Sequence, residues 1–180
     1  MIYRLLNDYS KVKEDITPLY LSAFPEEERP PENIFYQSFE RKENRLYAFY
    51  DNDVFVGFCS ITLFENVCCL FFLAVSPSLR HQGYGHQIID IIKELYKDYT
   101  LMLCYEEISE KYLDNDFRKK RESFYLDNGF QRTNIIIEEY GVRYHIASCG
   151  DKKITFSTYQ NIFKTMFKHG NLKRLKEVIK

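Results

Sequence analysis

The sequence predicts a mixed α/β (α+β) domain built on one mostly antiparallel sheet of about six to seven strands, flanked by helices and containing one parallel pair. Three observations support this. Apolar runs joined by tight turns fill residues 46–75, as in an antiparallel meander. A helix-period stretch of crossover length separates the apolar runs Val67–Val75 and Thr100–Tyr105, so those two strands lie parallel. A glycine-stopped helix and a hairpin pattern then return the chain to antiparallel pairing.

In order, Ile2–Leu6 reads as a strand. Ser10–Ala23 reads as a helix, with Ser10 as N-cap and Val12, Ile16, Leu19 and Ala23 on one stripe. The segment Phe24-Pro25-Glu26-Glu27-Glu28-Arg29-Pro30-Pro31 breaks that period as an acidic loop, and a short helix runs from Glu32 to about Arg41. The strands Leu46–Tyr50, Val54–Phe64 and Val67–Val75 turn at Asp51-Asn52-Asp53 and Glu65-Asn66. The third of these is apolar on both faces, as a central strand should be.

Ser76-Pro77 ends that strand, and a helix extends from about Gly85 to Asp98 with Ile88, Ile92, Leu95 and Tyr99 on its stripe, widened by Ile89 and Tyr96. Phe117–Asn128 is a helix stopped by Gly129, and Phe130–Glu138 with Val142–Ala147 forms a hairpin around Tyr140-Gly141. The break at Cys149-Gly150-Asp151 sets the expected edge between a domain over 1–149 and a C-terminal helical extension over 150–180 packed on it. There Ser157 can cap a helix carrying Ile162, Phe163, Met166 and Phe167. That helix packs on its own domain, forms a lid, or makes a homodimer contact.

With 180 residues, the chain is large enough for one domain with its own core. A net charge of −1 offers no field for nucleic acid or an anionic membrane surface. The one basic run, Arg118-Lys119-Lys120-Arg121, reads as a solvated helix face, with contact to a cofactor phosphate from the side as the alternative. No apolar stretch approaches the ~20 residues of a membrane span. The start has no secretory pattern, and the five cysteines are an odd set without a Cys-x-x-Cys pair. A cytoplasmic protein with free, core-packed thiols and no metal site is expected. Cys68 and Cys69, adjacent on a strand, point to opposite faces.

The chemistry gathers between Leu70 and Ile92, where a buried strand meets Arg80-His81-Gln82-Gly83-Tyr84-Gly85 and an amphipathic helix. The first amides of a helix lack internal partners and point outward at the positive end of its dipole. Gly83 and Gly85 let that backbone approach an anion, and Arg80 adds a guanidinium fork suited to phosphate. Neither Gly-Lys-Ser/Thr nor Gly-x-Gly-x-x-Gly is present, which excludes a Walker loop and a dinucleotide fingerprint.

The segment Leu73-Ala74-Val75-Ser76-Pro77-Ser78-Leu79-Arg80-His81-Gln82-Gly83-Tyr84-Gly85 resembles the acyl-CoA signature of the GNAT superfamily of N-acyltransferases. That signature is an apolar strand ending in Val-x-Pro, then Gln/Arg-x-x-Gly-x-Gly/Ala opening a helix. Phe124-Tyr125-Leu126-Asp127-Asn128-Gly129-Phe130 is similar to the family's Tyr-x-x-x-Gly-Phe segment. The order of elements from Ile2 to Ala147 also resembles that fold.

The resemblance implies that the parallel strands splay apart to take acetyl-CoA as cosubstrate, with pantetheine bonded to the backbone of Leu73 and Val75 on either side of Ala74. It implies a pyrophosphate cradled by Arg80, His81, Gln82, Gly83, Tyr84 and Gly85 and flanked by His86. It also implies Tyr125 as the acid that protonates the leaving thiolate. A backbone amide near Val75 suits the oxyanion. Glu106 or Glu107, at a strand end facing the cleft, can receive the amine proton or remain a solvated carboxylate. Glu26, Glu27 and Glu28 suit a cationic acceptor or a solvated loop. The expected function is acetyl transfer from acetyl-CoA to a primary amine of a small molecule. A protein amine as acceptor, or a CoA-binding regulatory module without turnover, stays open.

Overall fold

The computed structural model describes residues 1–5, 12–109, 111, 113–139, 141–167 and 175–178. Leu6, the expected N-cap Ser10, the turn residue Tyr140 and the side chain of Glu27 lie outside the described residues. The elements are β1 (Ile2–Leu5), α1 (Lys13–Ala23), α2 (Glu32–Ser38), β2 (Asn44–Asp51), β3 (Val54–Phe64), β4 (Val67–Val75), α3 (Tyr84–Leu95), β5 (Thr100–Glu106), α4 (Asn115–Asp127), β6 (Gln131–Glu139), β7 (Val142–Cys149), α5 (Phe156–Met166) and β8 (Leu175–Glu177). One eight-stranded sheet results, in the order β1-β2-β3-β4-β5-β7-β6-β8. Only the β4–β5 pair is parallel, as the crossover through α3 predicts.

The two-residue period of the strands divides the core. Tyr47 and Phe49 of β2, with Leu101, Leu103 and Tyr105 of β5, join Ile88, Ile89 and Ile92 of α3 on one face. The alternate residues Leu46, Ala48 and Tyr50 pack beneath α1 and α2, and Met102 beneath α5, on the other. Cys68 and Cys69 fall on opposite faces, and burial pushes both thiols up, which keeps them neutral. The stripe of α3 is turned slightly from its expected line, since Leu95 is exposed and Tyr96 is buried, sharing a 2.7 Å hydrogen bond with Tyr47.

Asn52 and Asp53 both have positive φ, which closes the tight β2–β3 hairpin whose twist suits a two-residue turn. Gly57 is required where β3 crosses β4, because a Cβ there would stand 2.2 Å from the Ala74 carbonyl oxygen. The last helix begins at Phe156, capped by Thr155, whose hydroxyl accepts from the Thr158 amide. At its far end, Arg41 donates to the carbonyls of Lys164 and Thr165, and Asn44 to that of Thr165. These carbonyls would otherwise lack partners, so the bonds fix α5 across the sheet. α2 stops at Ser38 rather than continuing to Arg41, and the amides of Phe39, Glu40 and Arg41 bond three residues back in a tightened turn. Among the described residues no helix is long and apolar enough to cross a membrane.

Candidate active site

The parallel pair separates where the sequence placed the chemistry. β4 and β5 are paired only from Val67↔Thr100 to Leu70↔Leu103. The cause lies on the other side of β4, where Ser60 pairs with Phe72 and Ile61 with Leu70, so Phe71 is an extra residue, a β-bulge. Phe71 and Phe72 consequently both pack toward the α1 and α5 side, while Leu73 and Val75 turn to the α3 side. The bulge bends β4 away from β5, which continues with β7 instead.

Backbone parity identifies the groups left on the open edge. The Ser76 amide donates to the Val56 carbonyl, so Ala74 and Ser76 direct their backbone toward β3. Antiparallel alternation then aims the polar groups of Leu73 and Val75 into the gap. Arg80 Nε reaches back to the Val75 carbonyl at 3.1 Å, which holds the guanidinium beside that edge.

Past the bulge, His81 adopts φ +63 and Gly83 φ +83, and Gly83 is the N-cap of α3. Its position is open, since a Cβ there would meet nothing within 4 Å. No side chain caps α3, and the first intrahelical bond runs from the Gln87 amide to the Gly83 carbonyl. The amides of Tyr84, Gly85 and His86 therefore precede any intrahelical partner. Gly85 packs against Phe124, where a Cβ would lie 3.1 Å from the ring.

Side chains along the loop are differently aimed. The Tyr84 hydroxyl donates to Asp51 at 2.8 Å, Gln82 donates to the Ser78 carbonyl, and His86 shares a hydrogen bond with Asn128 Oδ1 beside the Phe124 ring. For Tyr84 and Gln82 the backbone, not the side chain, is available to an anion. Arg80 and His81 are exposed.

Gly129, at φ +78, lets the Phe130 amide turn back to the Tyr125 carbonyl at 3.2 Å. Phe130 is then buried with its ring edge-on to Tyr125, centroids 6.2 Å apart. This gives Tyr-x-x-x-Gly-Phe a physical meaning, because the glycine stop fixes the tyrosine. Burial pushes the Tyr125 phenol up, while the Arg121 cation opposes that effect and Cys104 adds to it. Among the described residues no side chain hydrogen-bonds the Tyr125 hydroxyl.

Leu73, Ala74, Val75, Arg80, Glu106 and Tyr125 border one cavity of about 1090 Å³ between the acidic loop, the splayed strands and α5. Glu106 is buried and paired with Arg121, whereas Glu107 does not line the cavity and is paired with Arg143 at 3.8 Å. The basic run of α4 is solvated as its composition suggests at Lys119, Lys120 and Arg121, and departs from that reading at Arg118. Arg118 is buried, held by Asp114 at 2.8 Å and the Glu107 carbonyl at 3.0 Å, and Arg121 reaches the cavity wall. Glu26 and Glu28 also line the cavity.

The residue that sequence reasoning missed is Glu139. It ends β6 on the cavity wall and accepts a 3.1 Å hydrogen bond from the Tyr159 hydroxyl. Its signal was the two-residue period, since Ile135, Ile137 and Glu139 share a face, and the two isoleucines pack beneath α5. Burial pushes its carboxyl up to about 7, against the lowering effect of the Tyr159 hydrogen bond and with a raising contribution from Glu28.

The folded state therefore binds more protons than the unfolded chain between the ordinary 4.5 and about 7, and stability falls as pH rises through that window. Glu139→Gln removes this slope. Its melting temperature at about pH 8 should exceed the parent's by ~3–6 °C, and the two proteins should converge near pH 4.5. Parallel thermal melts across pH check this, and an unchanged difference at all pH values would refute it.

Among the described residues no group of three or more His, Cys, Asp or Glu is arranged to hold a metal ion. The fold is similar to that of a GNAT-family protein of Bacteroides thetaiotaomicron, with a TM-score of 0.75 at 20% identity over 90% of this chain and 93% of that one. An aminoglycoside 6′-N-acetyltransferase complexed with coenzyme A superposes with a TM-score of 0.68 at 16% identity, over 86% of this chain and 100% of that one. The ribosomal-protein-S18-alanine N-acetyltransferase of Escherichia coli gives a TM-score of 0.62 at 15% identity, over 86% and 99% of the two chains. No curated protein matches the chain in sequence. A sequence profile of the acetyltransferase (GNAT) family, however, matches residues 9–130, from before α1 to the Phe130 that follows α4. That span contains the bulged strand, the glycine loop and the tyrosine helix that together open the gap, and the chain therefore belongs to the GNAT family of acetyltransferases.

Proposed function

We propose that the protein transfers an acetyl group from acetyl-CoA to a primary amine of a small molecule by direct attack. The observation that carries this is the gap between β4 and β5, which opens into a cavity bordered by both Tyr125 and carboxylates. The residues present suit the cosubstrate. Leu73 and Val75 offer strand-like backbone groups to an amide-bearing arm, and the α3 amides with Arg80 offer a site for pyrophosphate. Acetyl-CoA supplies the activated acyl thioester.

The chain's own groups then divide the work. The Val75 amide, on the open edge of β4, donates to the acyl oxygen as negative charge develops there. Glu106 takes the amine proton, directly or through water, while Arg121 fixes its carboxylate. Tyr125 gives its proton to the departing thiolate. Burial keeps its phenol neutral and thus able to donate. No nucleophile on the protein is needed.

Acetyl-CoA and a panel of primary amines, mixed with the protein, should release free CoA thiol together with an acetylated amine. Binding of acetyl-CoA without thiol release for any amine, peptide N-termini included, would instead make this a CoA-binding regulatory module.

A further inference from the structure

Among the described residues, the far end of the cavity gathers carboxylates and aromatic rings without a cation set against Glu139. Four arginines border the cavity, and each is directed to a named acceptor: Arg29 to the Phe24 carbonyl, Arg41 to α5 carbonyls, Arg80 to the Val75 carbonyl and Arg121 to Glu106. Among the described residues no cation pairs with Glu139, although it is drawn out of water on the same wall. The walls around it are aromatic, with Phe71, Tyr144, Tyr159 and Phe163 lining the same cavity. Ring faces beside a lone carboxyl favour a cation with an apolar body.

Glu139 lies apart from the reacting end. Across the sheet Glu106 pairs with Tyr144, Tyr144 pairs with Ile137, and Glu139 stands two residues beyond. Two strand spacings and that two-residue rise separate Glu106 from Glu139 by roughly 12 Å at the backbone.

We propose that Glu139, assisted by Glu28 across the cavity, is a specificity-determining carboxylate that holds a second cationic group of the acceptor, so that the preferred substrate is a diamine with an apolar spacer. One amino group meets the thioester near Tyr125 and is acetylated; the other stays as an ammonium against Glu139 and the rings. The Tyr159 hydroxyl holds one carboxylate oxygen in place. Among the described residues, the titratable groups facing Glu139 are Tyr159 from α5, Cys69 from β4, Cys104 from β5, Tyr144 from β7 and Glu28 from the acidic loop, and none of them supplies a positive charge.

The inference rests on the acetyl-transfer reading, and its test separates the two. Hexamethylenediamine and hexylamine are compared as acceptors by thiol release, and as ligands by calorimetry without acetyl-CoA. The parent should prefer the diamine by about 10- to 100-fold in kcat/KM, mostly through KM, the range expected for one charge-assisted contact. Glu139→Gln should bring that ratio close to one, and Glu28→Gln should lower it by less. Diamine binding near pH 7 should also release protons as Glu139 ionises, seen as a buffer-dependent heat that Glu139→Gln lacks.

Equal ratios in parent and Glu139→Gln, or a parent without preference for the diamine, would overturn the proposal. If neither amine is acetylated but the diamine binds in a Glu139-dependent way, the carboxylate's role stands and the transfer reading falls.

Discussion

Tyr125→Phe should bind acetyl-CoA with nearly unchanged affinity and lose turnover by something like ~10²–10⁴-fold, the range for a missing general acid. The structure makes this substitution unusually clean. The ring is held by Tyr105, Phe124 and Phe130 at centroid distances of 6.0, 5.3 and 6.2 Å, and all of those contacts survive in phenylalanine. The helix end is held through the Tyr125 carbonyl, which the substitution leaves untouched. No described side chain bonds the hydroxyl, so its removal orphans nothing and the melting temperature should be preserved. A rate loss without a loss of cosubstrate affinity marks an interaction made chiefly in the transition state. Full kcat in Tyr125→Phe, measured with a working acceptor and with chemistry rate-limiting, would remove this phenol from the mechanism.

Gly83→Asp should abolish acetyl-CoA binding while the protein stays folded. Gly83 has φ +83, a conformation that aspartate tolerates better than most residues, and there is open space around its missing Cβ. As N-cap of α3, an aspartate would turn its carboxylate onto the free helix amides and hold them by capping. The amides proposed for pyrophosphate would then be occupied by a like charge. The expected signature is a calorimetric titration with no detectable heat of acetyl-CoA binding, alongside an ordinary cooperative melt. Unchanged affinity would place the cosubstrate somewhere other than the α3 terminus.

The sequence carried the local features of this site. Turn residues, helix-period stripes and the glycine stop at Gly129 depend on neighbours a few positions away, and the strand, loop and helix from Val67 to Leu95 lie where those signals put them. Gly83 and Gly85 announced a backbone approach, and the spacing of Tyr125, Gly129 and Phe130 announced a fixed tyrosine. The strand Leu175–Glu177 escaped notice because three residues hold too little period, and only its partner β6 defines it as a strand.

Other properties arise only from distant segments meeting. The bulge at Phe71 is a register mismatch between β3 and β4, and neither strand alone encodes it. Arg118 looks like surface charge in sequence and becomes internal because Asp114 and the Glu107 carbonyl converge on it, while Arg121 stays exposed but is turned onto the buried Glu106. Glu139 is an ordinary strand-end carboxylate until Glu28, Cys104 and Tyr159, each from another part of the chain, gather around it and exclude water. Periodicity and turn chemistry, being local, determined the order of elements and the glycine loop from the sequence by itself. The cavity proposed for the acceptor and the raised carboxyl of Glu139 depend on desolvation and on charges remote in sequence, so only the tertiary structure decided them.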